Sequence, residues 1–219
     1  MSDGVSANGG KVDLEEAMMT QRAIRRVRPD PVDDEVLLRI LRLAIKAPTG
    51  SNQQNWEFIV VRDQKVKAAL GKQNRRVASP YLKAGRIVKR RDEKSLRLIK
   101  AVQWQLDHWD EIPVFIIPCL RGVSWPLPWI YKSSRYGSIY PAIQNLLLAA
   151  RAEGLGAALT TFPLWNRVAA RRILKLPLNV EPIACIPMGW PMGKYGPTTR
   201  TPVEELTHLD HYGNRAFKA

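Results

Sequence analysis

Arginines, neutral amides and hydroxyls are the residues of this 219-residue chain whose spacing could do chemistry. Gln21-Arg22-Ala23-Ile24-Arg25-Arg26-Val27-Arg28-Pro29 holds four arginines within seven residues. A guanidinium is planar, permanently charged and matched to phosphate oxygens; ordinary solvation of an exposed element end is the competing reading. The second stretch is Ala47-Pro48-Thr49-Gly50-Ser51-Asn52-Gln53-Gln54-Asn55-Trp56, uncharged from Thr49 to Trp56. Pro48 ends the preceding helical pattern and Gly50 permits positive φ. Such a loop suits a polar, uncharged ligand such as a sugar-alcohol chain or a heterocycle. A turn bonded to its own backbone would look the same. Gly154-Leu155-Gly156 leads into Ala157-Ala158-Leu159-Thr160-Thr161, a stretch able to set backbone N–H groups against a flat ligand. It lacks the third glycine of a dinucleotide fingerprint. Arg200 follows Pro197 and two threonines, so an extended tail could carry it to a distant site, although solvation alone also accounts for it. Trp125, Trp129, Tyr131 and Tyr136 lie in an insert, Val123 to Tyr136, whose prolines argue against regular structure. Long aromatic loops of this kind often form lids over ligands, or pack back on the domain or a partner.

Composition narrows the classes. The length and 45% hydrophobic content support one full core. Met1 to Lys11 is polar, reads as a disordered tail spanning residues 1–12, and does not resemble a secretory signal. No stretch approaches the roughly 20 apolar residues of a membrane span. Cys119 and Cys185 sit in or beside apolar strand-like runs without Cys-x-x-Cys spacing, as expected of reduced structural thiols in a cytoplasmic protein. His108, His208 and His211 are scattered, so no metal site is expected. The formal net charge of +14 is concentrated between Lys83 and Lys100. A solvated helix face, a nucleic-acid or membrane patch, and a field steering an anionic nucleotide all fit it. The absence of interleaved aromatics favours steering among the functional readings.

The elements that must position these groups are helices around a sheet. A helix is expected from about Asp13 to Thr20, then one capped by Asp33 or Asp34 with Leu37, Ile40, Leu41, Ala44 and Ile45 on one face. Strands are expected at Glu57–Val61, Val114–Cys119, Ala157–Thr161 and Ile183–Met188, all but the third buried on both faces. A long basic helix is expected over Val77–Trp109, and an all-round apolar helix over Ile139–Ala152 for the core or a subunit interface. Asn166 is positioned to cap a short helix ending at Leu174. The layout is α+β, one domain over 13–219.

Taken together and in order, Gln21–Arg25, Pro48–Trp56, Gly154-Leu155-Gly156 before Leu159-Thr160-Thr161, and Arg200-Thr201-Pro202 before Glu204-Glu205 resemble the FMN-dependent nitroreductase family. The resemblance covers roughly Ala17 to His211. It implies a three-layer sandwich with a central, mostly antiparallel sheet flanked by helices, assembled as a domain-swapped homodimer with FMN between subunits. It further implies a 190–219 tail wrapped on the partner. Carried over by position, Arg22, Ala23 and Arg25 would meet the phosphate, ribityl chain and pyrimidine end. Pro48, Thr49, Gly50, Asn52 and Gln54 would come from the other subunit. Leu159, Thr160 and Thr161 would lie along the ring, with a backbone N–H toward N5, and Arg200 would hold the phosphate. Gln21 and Ala23 depart from the family's Arg and Ser, and Asn55 from its Pro.

The implied activity is ping-pong: NADH or NADPH gives a hydride to N5, then a small flat acceptor such as a nitroaromatic or quinone is reduced. Arg25 would stabilise negative charge on the pyrimidine side. The variable insert, with Trp125, Trp129, Tyr131 and Tyr136, would shape the substrate pocket. Dehalogenation or dehydrogenation on the same fold, non-catalytic flavin storage, and nucleic-acid binding are the alternatives. No nucleic acid or membrane is expected as partner.

Overall fold

The computed structural model describes residues 12–88, 93–122, 129–215 and 217. The expected tail over residues 1–11 and the candidate Trp125 lie outside them. Six helices surround one sheet. Helix α1 (Leu14–Thr20) begins where Asp13 Oδ1 accepts the Glu16 N–H at 2.8 Å, a side-chain cap. Helix α2 (Asp34–Ala44) has Asp33 at its cap position without a side-chain bond, and delivers the chain into the polar loop. Strand β1 (Trp56–Val61), helices α3 (Gln64–Val88) and α4 (Glu93–Asp107), and strand β2 (Val114–Arg121) follow. Then come α5 (Trp129–Ala152), β3 (Gly156–Ala157), α6 (Arg167–Ile173), β4 (Val180–Pro182) and β5 (Ile186–Gly189).

The five strands are ordered β1-β2-β5-β3, with β4 pairing the far end of β2, and every strand pair is antiparallel. β2 is the central strand, and its alternation divides the core. Val114, Ile116 and Leu120 point to α2 and α5 on one face, packing with Ile40, Ile139, Ile143 and Leu146. Phe115, Ile117 and Cys119 point to the other, packing with Leu70 of α3, Trp109 and Ala170 of α6. Helices on both faces of an antiparallel sheet make the expected three-layer sandwich. A third, smaller core of Ala78, Leu82, Ile99 and Leu106 joins α3 to α4.

Several expectations are corrected by the geometry. β1 is not buried on both faces: it is an edge strand, and Val60 is exposed. The expected Ile183–Met188 strand begins only at Ile186, as β5, and a separate β4 precedes it, because Ile183 N–H bonds Pro118 while Cys185 turns to Thr160. The Ala157–Thr161 strand is cut to Gly156–Ala157, with one further bridge at Thr160. The long basic helix is two helices, the first beginning at Gln64. Half of the expected lid is regular: Trp129 to Tyr136 form the first turns of α5, because the prolines are confined to Pro126 and Pro128.

The basic face of α3 has a simple geometry. Lys65, Lys72, Arg76 and Lys83 are spaced seven, four and seven apart, which places them in one row along the helix. All four are exposed, opposite the buried Leu70, Asn74 and Ala78, and none forms an ion pair among the described residues. α3 carries no acidic residue, so the row is uncompensated along its length. No helix among the described residues is long and apolar enough to cross a membrane.

Candidate active site

The site begins at the close approach of two segments. Gly154 adopts φ +80° just beyond α5, where Leu155 N–H bonds Ala150 at 2.8 Å and reverses the chain into β3. Gly156 then lies flat against the arginine-rich segment. Ile24 N–H donates to Ala157 O at 3.0 Å, and Ala23 pairs with Ala157 in a parallel bridge. A Cβ on Gly156 would sit 2.5 Å from Ile24 Cγ2, so only glycine permits this contact. The two glycines of the Gly-x-Gly phrase therefore have separate backbone duties.

This approach brings Arg25 beside Leu159, Thr160 and Thr161. Together they line a cavity of about 480 Å³ whose remaining wall is the inner side of α3 and α4, including Asn74, Tyr81, Leu98 and Gln105. The volume falls in the usual range for small-molecule sites. Among the described residues, Arg25 is the sole ionised side chain of the lining and makes no ion pair, and it is half-buried. Burial pushes its pKa below the ordinary guanidinium value. Asn74 and Gln105 are buried, and their amides have no hydrogen-bond partner among the described residues. A half-buried cation and two amides that open on the cavity without protein partners among the described residues suit a ligand with complementary polar groups. The Thr160 N–H is already given to Cys185 O at 2.9 Å, with the Cys185 N–H returned to Thr160 O at 2.8 Å. Of the two threonine amides, only Thr161's has no such backbone partner. Asn74 and Gln105 escaped the sequence reading, which treated this region as surface charge. The available signal was an amide on the apolar stripe Leu70, Ala78, Leu82 of α3.

The remaining candidates are placed elsewhere on the subunit. Pro48, Thr49, Gly50, Asn52 and Gln54 form a loop docked on α5, where Gly50 N–H donates to Ser138 Oγ at 3.1 Å. They do not line this cavity in their own chain. Gly50 does not supply the positive φ; Ser51, Asn52 and Gln54 do, at 51°, 51° and 47°. A Cβ on Gly50 would lie 3.2 Å from Ser134 Oγ, a tight contact with an exposed hydroxyl. Three left-handed non-glycine residues in four positions are a local strain of the kind that gathers at ligand sites. Gln54 N–H bonds Thr49 Oγ1 and its side chain bonds Asn52 Oδ1, so part of the loop's polarity holds its own shape.

Arg22 is exposed, with its NH1 group 3.7 Å from where a Gly196 Cβ would lie. The tail is therefore near Arg22 in the same subunit. Trp190 to Thr198 stay on their own chain, through Trp190 Nε1–H to Pro31 O, Met192 N–H to Arg26 O and Thr198 N–H to Met19 O. Arg200 is exposed and bonds only its neighbour Thr199 O. Trp129 and Tyr131 open α5. Tyr136 is not part of the cavity: its hydroxyl donates to Glu181 Oε1 at 3.4 Å, and the buried Glu181 also pairs with buried Arg135 of α5 and exposed Arg167 of α6.

Comparison with known proteins agrees with this geometry. The nitroreductase family profile matches residues 18–190, and the chain belongs to that family. A Methanothermobacter thermautotrophicus protein with the provisional name NADH dehydrogenase/NAD(P)H nitroreductase is 31% identical over 185 residues, covering 83% of this chain and 78% of its own. A Thermotoga neapolitana iodotyrosine deiodinase is 27% identical over 183 residues, covering 82% and 87%. A Desulfovibrio desulfuricans protein of nitroreductase type, solved in complex with FMN, superposes with a TM-score of 0.68 at 23% identity, covering 93% of this chain and 99% of its own. The fold is nitroreductase-like and the chain is an oxidoreductase.

Proposed function

We propose that the protein is a homodimeric FMN-dependent oxidoreductase, taking electrons from NADH or NADPH and reducing a flat acceptor such as a nitroaromatic or quinone. The observation that carries this reading is Arg25, a half-buried cation that makes no ion pair among the described residues, in a cavity whose other described lining residues are neutral. When bound, FMN would supply hydride transfer between donor and acceptor. The chain's part is to bind and orient it: Arg25, Asn74 and the Thr161 N–H toward the ring edge, Arg22 and Arg200 toward the phosphate. The loop Pro48–Gln54 would complete the site from the partner subunit. Dimer formation is favoured by large apolar side chains exposed on α1 and α2, among them Leu14, Met18, Met19, Leu38 and Leu43. The tail beyond Thr198 is free to reach that partner.

The deiodinase relative raises a second reading, dehalogenation of an amino acid. Against it, no carboxylate among the described residues lines the cavity, so the ammonium of a zwitterionic substrate would be desolvated without a partner among them.

Two outcomes test the proposal. Arg200→Ala should purify with the wild-type fold but little or no FMN, because it removes a phosphate contact and no core packing; full flavin occupancy in that variant would remove Arg200 from the site. The second concerns the α3 row. The second-order rate of reduction by NAD(P)H should fall as salt is raised from about 20 to 200 mM, as screening weakens the pull on an anionic donor. A flat salt profile would leave the row as an ordinary solvated face.

A further inference from the structure

Arg151 lies at the end of α5, is 7% exposed, and is held on three sides. Its Nε–H donates to Thr20 Oγ1 at 2.8 Å and its NH2 group to Glu16 Oε1 at 2.9 Å, both on α1. The guanidinium carbon sits 3.9 Å from the centre of the Tyr195 ring, in the C-terminal tail. The Tyr195 hydroxyl is fully buried and has no hydrogen-bond partner among the described residues, and burial pushes its pKa up to about 12. One side chain thus clamps α1 and the tail to the same point.

What lies between those two segments is Arg22. α1 ends at Thr20, Gln21 closes it through its N–H to Ala17 O at 2.8 Å, and Arg22 follows. On the tail side, Tyr195 is followed by Gly196, where an added Cβ would lie 3.7 Å from Arg22 NH1. Two further bonds close the gap beyond it, Thr198 N–H and Oγ1–H both donating to Met19 O at 2.9 and 3.2 Å. Arg22 is otherwise an exposed, rotamer-rich side chain, and its entropy would be lost on meeting an anion.

We propose that Arg151 is a positioning residue for Arg22: its fork and stacked face fix α1 and the tail, and so aim Arg22 at the ligand's phosphate end. This inference rests on the flavin reading given above. Arginine is required because two directed N–H bonds and a flat face over an aromatic ring are used at once, a combination lysine cannot supply.

The test is the dissociation constant for FMN, read by quenching of flavin fluorescence, together with the melting temperature of each apoprotein. Arg151→Met and Arg151→Lys are both expected to raise Kd about tenfold, close to the effect of Arg22→Ala. In the Arg22→Ala background, Arg151→Met should add less than about twofold, because the two residues act through one contact. Tyr195→Leu, a change in the tail that leaves the core intact, should raise Kd in the same direction and stands in should the Arg151 variants fail to fold. Tyr195→Phe, which keeps the ring, should bind as wild type does. A lower melting temperature with unchanged Kd, effects that multiply with Arg22→Ala, or a lysine variant equal to wild type would overturn the proposal. Wild-type protein that takes up no FMN would overturn it along with the flavin reading.

Discussion

Gly156→Ala is expected to cost about 1–3 kcal/mol of stability and most of the flavin occupancy. The added methyl would lie 2.5 Å from Ile24 Cγ2, 2.9 Å from Ile24 Cβ and 3.3 Å from Val27 Cγ1, with no flexible chain end to give way. The strand and the arginine segment must therefore separate, and the Ile24 N–H to Ala157 O bond lengthens with them. Arg25 shares that segment, so its guanidinium leaves the line of Thr160 and Thr161. Thermal unfolding and the flavin-to-protein ratio measure the two effects separately. Adding Ile24→Ala removes the Cγ2 clash but leaves the Cβ contact, so it should recover part of both losses. A Gly156→Ala protein with unchanged melting and full flavin would mean that the approach seen here is not needed.

Arg25→Met should slow reduction of the bound cofactor by NAD(P)H about 10²-fold, the usual scale for loss of one preorganised charge-stabilising group. Among the described residues, Arg25 is the lone charge lining its cavity, and no carboxylate offsets its desolvation. Such a group is arranged for negative charge brought by the ligand. Methionine keeps most of the stem volume, so the α3–α4 wall should remain and melting should change little. Arg25→Lys keeps the charge but loses the fork, and an intermediate rate is expected. Rapid-mixing absorbance at the flavin band, with Kd measured alongside, separates slower chemistry from weaker binding. An Arg25→Met rate equal to wild type would remove Arg25 from the chemistry.

The sandwich was largely legible in the sequence. The continuous apolar run Val114–Leu120 signals a strand buried on both faces, and the helical spacing of Leu37, Ile40, Leu41 and Ala44 signals the buried face of α2. Asn166 caps α6 as expected, its Oδ1 accepting the Ala169 N–H, whereas Asp33 takes the cap position of α2 without a side-chain bond. Boundaries failed where long-range pairing decided them: Cys185 pairs with Thr160 rather than extending β5, and no local pattern encodes that choice. The site was legible by residue type and less so by mechanism. Gly156 was read as a ligand-facing glycine, but its reason is Ile24, a residue 132 positions earlier in the numbering. Gly50 was credited with a positive φ that Ser51, Asn52 and Gln54 adopt instead. Asn74, Gln105 and the Arg151 clamp depend on which helices meet, and their neighbours in sequence do not disclose it.

The most direct test of the account is the absorbance of the purified protein after addition of FMN and removal of excess, followed by anaerobic NADH and then NADPH. The account predicts a bound flavin spectrum that bleaches with at least one of the two donors and recovers when a quinone or nitroaromatic is added. Protein that retains no FMN would contradict it, and a bound flavin that neither donor bleaches would contradict the proposed NAD(P)H-dependent activity.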